Sequence, residues 1–124
     1  MEGNSMPVSG IWRFVPAAAG WGLRAKFEGN VEGMGRMEED DLFGFDAETG
    51  KTHIYSLTNT GNVHDHVGGW TGADSLEFVC ATTQDGKPYR EVIVCAFRGS
   101  EVAVTITEWV EGQQTAVFAA TFRK

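Results

Sequence analysis

The sequence predicts an all-β fold: an antiparallel up-and-down meander of about 8–9 strands that closes into a β-barrel. Three observations predict it. Six glycine-centred turns recur at nearly even spacing, at Glu48–Lys51, Asn59–Asn62, Trp70–Asp74, Gln84–Pro88, Arg98–Glu101 and Glu111–Gln114. Glycine supplies the positive φ of tight hairpins, and Asp, Asn and Ser assist it. The segments between these turns are rich in Val, Ile, Thr and aromatic residues and alternate with period two. No helical period persists beyond about two turns. A long meander exposes two edges, and closure removes them.

Each element follows in chain order. Residues 1–9 are expected to be a disordered or expression-derived start, and 10–124 a single barrel domain. Gly10-Ile11-Trp12 opens the first strand, and Ala17-Ala18-Ala19 after Pro16 forms at most one helical turn, stopped by Gly20 and Gly22. Leu23, Ala25, Phe27 and Val31 then alternate with Arg24, Lys26, Glu28 and Glu32, a half-buried strand with a polar outer side. Leu76, Phe78 and Cys80 share one face; so do Val102, Val104 and Ile106, and so do Ala116, Phe118, Ala120 and Phe122. Segments 91–97, 102–110 and 116–122 are apolar on both faces, which predicts a covered outer wall and a possible homodimer.

Net charge is −7, from 17 acidic and 10 basic residues, with no basic stripe. Nucleic acid is therefore an unexpected partner. No apolar run is long enough to span a membrane as a helix, and Met1–Met6 lacks the regions of a signal peptide, so the expected location is cytoplasmic. Glu38-Glu39-Asp40-Asp41 reads as a solvated strand or hairpin rim. A pairing sum of about 172 at the Gln84–Pro88 turn puts Cys80 opposite Val92 and Cys95 on the other face, leaving two reduced thiols.

Phe43-Gly44-Phe45-Asp46-Ala47-Glu48-Thr49-Gly50-Lys51 resembles the Gly-aromatic-Asp-x-x-Thr-Gly-Lys hairpin of an uncharacterised family of small bacterial lipocalin-like, calycin-type proteins. Gly68-Gly69-Trp70-Thr71-Gly72-Ala73-Asp74-Ser75-Leu76 is similar to that family's next turn with one residue inserted, and the basic ending matches Arg123-Lys124. The resemblance covers roughly residues 35–124. It implies a lipocalin-like barrel with room for a ligand, and no reaction, because the family lacks an established one. Gly10-Ile11-Trp12 also resembles the Gly-x-Trp of lipocalins, whose tryptophan closes the barrel against a basic residue of the last strand. That implies a structural contact between Trp12 and Arg123.

All three histidines lie close in sequence, as His53, His64 and His66. His64 and His66 are two apart and share a face, a chelating arrangement when a third ligand is present. Two registers of the Thr60-Gly61 hairpin are open. A pairing sum of about 120 groups Tyr55 and Leu57 with Val63 and Val67 and leaves the histidines opposite; 121 brings His53, Tyr55, His64 and His66 together. Glu108 continues the face of Val104 and Ile106 and is expected to point inward or to sit at the open end in water. There is no Gly-x-Ser-x-Gly elbow and no Cys–His pair, so no catalytic residues, metal ligands or cofactor are assigned.

The leading reading is a non-enzymatic module that holds a small hydrophobic ligand in the barrel. Its lumen would be lined by Phe27, Tyr55, His64, His66, Trp70, Phe78, Phe97, Glu108 and Trp109. Two alternatives stand beside it. One is an enzyme or a haem or metal binder using His64 and His66 with an inward carboxylate. The other is a packed structural barrel that acts by dimerising.

Overall fold

The computed structural model describes residues 6–123, which form nine strands and one 3-10 turn. The strands are β1 (Met6–Ala17), β2 (Gly22–Val31), β3 (Gly35–Asp46), β4 (Lys51–Thr58), β5 (Val63–Trp70), β6 (Ser75–Gln84), β7 (Lys87–Arg98), β8 (Glu101–Val110) and β9 (Gln113–Arg123). All six glycine-centred turns fall between strands. The predicted helical turn appears as the 3-10 turn Ala18–Gly20. Of the predicted irregular start, residues 1–5 lie outside the described residues, and β1 begins at Met6.

Neighbouring strands pair in chain order and the sheet closes on itself, but closure corrects the expected topology. β1 and β9 run parallel, through Met6↔Phe118 and Pro7↔Ala119, so the barrel is mixed rather than purely antiparallel. The reason is parity. In an up-and-down meander with an odd number of strands, the first and last point the same way, and they can meet only in parallel.

Alternation then sorts the side chains. Ala25, Phe27 and Val31 of β2 point inward and are buried, as are Phe78 and Cys80 of β6, Val104 of β8 and Ala116 of β9. One end of the interior is filled by rings: Trp12 lies 4.6 Å from Phe14 and 5.4 Å from Phe122, and Phe14 lies 5.9 Å from Phe43. Outside, Leu42, Tyr55, Leu57 and Val63 of β3–β5 are each about half exposed and adjoin one another through Leu42↔Tyr55 and Leu57↔Val63. The outward residues Arg24, Lys26 and Asp40 are exposed. No helix among the described residues is long and apolar enough to cross a membrane.

Two registers decide what faces inward. Gln84↔Lys87 closes β6–β7 around Asp85 (φ 52) and Gly86 (φ 77), a two-residue hairpin with both central φ positive. The pairing sum is therefore 171, not 172. Cys80 faces Glu91 rather than Val92, and Cys95 turns inward with it. Both thiols are buried and free, because the strand partner of Cys95 is Leu76, four residues from Cys80. At β4–β5, Thr52↔Gly68 through Leu57↔Val63 give the sum of 120.

The β5–β6 ladder is short. It runs only from Val67↔Val79 to Trp70↔Leu76, so Val63–His66 are paired through β4 alone. At that ladder the backbones meet closely. A Cβ on Gly68 would overlap the Glu77 carbonyl, whereas one on Gly44 would meet nothing within 4 Å, and neither residue has a positive φ. Gly68→Ala is therefore expected to lose roughly 1–3 kcal/mol by overpacking. Gly44→Ala should be neutral or slightly stabilising, since it removes only unfolded-state entropy. Urea unfolding of the two variants checks this contrast.

Candidate metal and ligand site

The register of β4–β5 puts His64 and His66 on the inner wall. The even pairing sum groups Tyr55, Leu57, Val63 and Val67 as expected, but that apolar group faces outward and the histidine face is the lumen. His64 is 9% exposed and His66 2%. They do not stand on a polar rim.

They meet Glu91, an acid on an otherwise apolar strand that was not among the expected lumen residues. The β6–β7 register turns Glu91 inward, where it is 6% exposed. His66 Nε2 lies 2.5 Å from Glu91 Oε1, and His64 Nδ1 lies 3.6 Å from Oε2. The Tyr89 hydroxyl donates to Oε2 at 2.6 Å. The Tyr89 ring stacks on His64, with centroids 5.0 Å apart and planes at 23°, and His64 stands edge-on to His66. On its far side, His64 Nε2 lies 3.3 Å from Gln84 Oε1. An amide oxygen only accepts, so in this contact His64 donates from Nε2, while its Nδ1 faces Glu91.

Electrostatics follow from burial. Burial alone would raise the Glu91 carboxyl, but hydrogen bonds from His66 and Tyr89 and the electrostatic influence of the two imidazoles hold it below the usual carboxylate range. The Tyr89 phenol is pushed far up by burial and by the Glu91 charge, so it stays a neutral donor. Glu108, opposite Glu91 on β8, is raised by burial and by that same charge.

A second pair of acids stands on β3. The run Glu38-Glu39-Asp40-Asp41 is not a solvated rim: alternation sends Glu39 and Asp41 inward. Asp41 is 4% exposed and faces Ala25 and Ser56 across its two ladders. Burial and the neighbouring Asp41 push Glu39 up to about 9. Burial also raises Asp41; Glu39, Ser56, Trp12 and the His66 imidazole offset this in part.

Several of these groups line a cavity of about 260 Å³. His64, His66, Glu91, Glu108, Glu39 and Ser56 line its polar part, and Phe27, Val31, Ile93, Val104, Ile106 and Phe118 its apolar part. Exposed Met34, Asn59 and Thr60 from the β2–β3 and β4–β5 turns border it. The volume lies just below the ~300–1,000 Å³ of typical ligand pockets. It suits a small molecule and is too small for a haem macrocycle.

Of the residues expected to line the lumen, Phe27, His64, His66 and Glu108 border this cavity. Phe78 is buried and Phe97 half-buried away from it; Phe97 packs on Trp70, which is 64% exposed. Tyr55 faces outward. Trp109 is the strand partner of Arg90, whose guanidinium lies 4.9 Å from the centre of its ring. The Trp12–Arg123 contact is not formed. Arg123 alternates outward and pairs with Glu101 at 2.7 Å, and its inward neighbour Phe122 packs on Trp12. Sequence reasoning missed Tyr89, Glu39 and Asp41, and although Glu91 stands out as an acid on an otherwise apolar strand, it was not placed in the lumen. A two-residue hairpin at Asp85-Gly86 would have signalled Tyr89 and Glu91.

Comparison with protein-family models, with curated proteins and with solved structures finds no match. The closed nine-strand barrel is what the chain shows of the lipocalin-like resemblance; no homology ties it to that family.

The site's titration behaviour can be checked directly. Glu39 keeps its proton in the folded state up to about 9 and loses it near the ordinary 4.5 when unfolded. The folded state therefore binds more protons across that window, and this group's contribution to stability is lost as pH rises. Glu91 acts oppositely: its contribution is present above the ordinary carboxylate range and is lost as pH falls through its lowered value. Glu39→Gln should gain on the wild type in urea midpoint steadily from pH 5 to pH 9. Parallel curves across that range would contradict the assignment.

Proposed function

We propose that the barrel binds a divalent transition metal through His64, His66 and Glu91, and that the metal's open positions hold a small, largely apolar molecule in the adjoining cavity. The observation that carries this reading is the convergence of three buried donors, one each from His64, His66 and Glu91, with atoms all within 4.8 Å of one another. Burying a carboxylate and two imidazoles together is costly, and a cation held among them offsets that cost more fully than the pairs alone. Two nitrogens and one oxygen suit zinc, copper, nickel or ferrous iron better than magnesium or calcium. Three protein ligands leave a position open, as in zinc sites that act on or hold a further molecule. The mostly apolar wall beyond it favours a ligand with one metal-binding atom on an apolar body. Binding rather than catalysis is the reading we favour.

Calorimetric titration with zinc is expected to give one ion per chain and a rise in melting temperature. His66→Ala and Glu91→Gln should each weaken binding by roughly 10²-fold or more, because each removes one of only three protein ligands. His53→Ala should leave it unchanged, since His53 faces outward beside Asp65 at 3.4 Å. No heat and no melting shift with zinc, copper, nickel or ferrous iron would overturn the proposal.

A further inference from the structure

Three buried side-chain atoms have no hydrogen-bond partner among the described residues: Trp12 Nε1, Asp41 Oδ1 and His66 Nδ1. Such atoms are rare, and each calls for an explanation. Here the three are complementary. The indole N–H can only donate, a carboxylate oxygen accepts, and an imidazole nitrogen does either. They also lie on one inner wall: Trp12, His66 and Ser56 border the same cavity, and Asp41 is buried as the strand partner of Ser56.

The two imidazoles differ in one respect. His64 has an outer partner already in place, Gln84 on Nε2, and presents Nδ1 to the site. His66 presents Nε2 to Glu91, and its outer nitrogen, Nδ1, is unpartnered. Metal-binding histidines almost always donate their outer N–H to a carboxylate, a carbonyl or water, which fixes ring orientation and raises ligand basicity.

We propose that Asp41 is the positioning residue for the metal-binding form of His66: it accepts the Nδ1–H of that ring while Trp12 Nε1–H donates to the carboxylate from its other side. The inference rests on the metal reading above. His66 Nε2 and Glu91 Oε1 are 2.5 Å apart. Two ligands each about 2.0–2.1 Å from one tetrahedral ion stand roughly 3.3 Å apart, so a metal must part them. A ring shifted off Glu91 has one unsatisfied buried acceptor waiting for it, Asp41 Oδ1. The proton count balances: a neutral imidazole keeps a single N–H, which sits on Nε2 facing Glu91 without metal and on Nδ1 facing Asp41 with it. All three orphan atoms are then satisfied.

The test compares zinc affinity in wild type, Asp41→Leu and Asp41→Asn, together with the ring-nitrogen NMR signals of His66. Loss of this outer partner should weaken zinc binding about 10–100-fold in Asp41→Leu. Asp41→Asn, which keeps an accepting oxygen, should lose clearly less. In the zinc-loaded wild type, the His66 proton should appear on Nδ1 and exchange slowly with solvent. Zinc binding as tight in Asp41→Leu as in wild type, or a loaded His66 protonated on Nε2, would overturn the role of Asp41 and leave the metal site standing. If Asp41→Leu does not fold, the ring spectrum of the loaded wild type decides alone. A wild-type protein that takes no zinc overturns the metal reading and this inference together.

Discussion

The interior of this barrel is organised around one buried carboxylate. Glu91 accepts from Tyr89, bonds His66, faces His64 at 3.6 Å and stands opposite Glu108. An ionised group with so little contact with solvent survives only where donors are already aimed at it. That condition explains why β5 offers two imidazoles, why the phenol stays neutral, and why Glu108 is pushed toward its protonated form. Carboxylate, imidazoles and phenol form a network whose value depends on every member being present.

The barrel supplies what the network needs. Rings cluster at one end, from Trp12 through Phe14, Phe43 and Phe122, and Trp12 and Phe122 also border the cavity. The short β5–β6 ladder leaves His64 on a stretch of strand paired from one side only, and Gln84 reaches it across that opening. Closure comes from parity: nine strands end parallel to where they began, over two residue pairs. The outer apolar row of Leu42, Tyr55, Leu57 and Val63 shows that hydrophobicity alone does not mark the inside of this chain.

Much of the fold is legible in the sequence because glycine turns and period-two alternation are local signals. Every turn from Glu48 onward is readable, as are the inner faces of β2, β6, β8 and β9. The site is less legible because its composition depends on register, and register depends on single residues within turns. Treating Gln84–Pro88 as a longer turn moves the pairing sum by one and exchanges Val92 for Glu91 opposite Cys80. Grouping Tyr55 with Val63 and Val67 gives the right register, yet the rule that apolar residues face inward then hides the histidines. The acidic run on β3 misleads similarly, since alternate members turn into the lumen. In each case burial of polar groups, compensated by partners distant in sequence, outweighs the hydrophobic pattern.

X-ray absorption on the zinc-loaded protein tests the central claim most directly, because it reads the ligands rather than their consequences. The account predicts a first shell of nitrogen and oxygen only, at about 2.0–2.2 Å. The outer-shell pattern of two imidazoles should accompany it. Scattering from sulfur near 2.3 Å would place the ion on a cysteine instead. Either that result or the absence of imidazole scattering would contradict a site built from His64, His66 and Glu91.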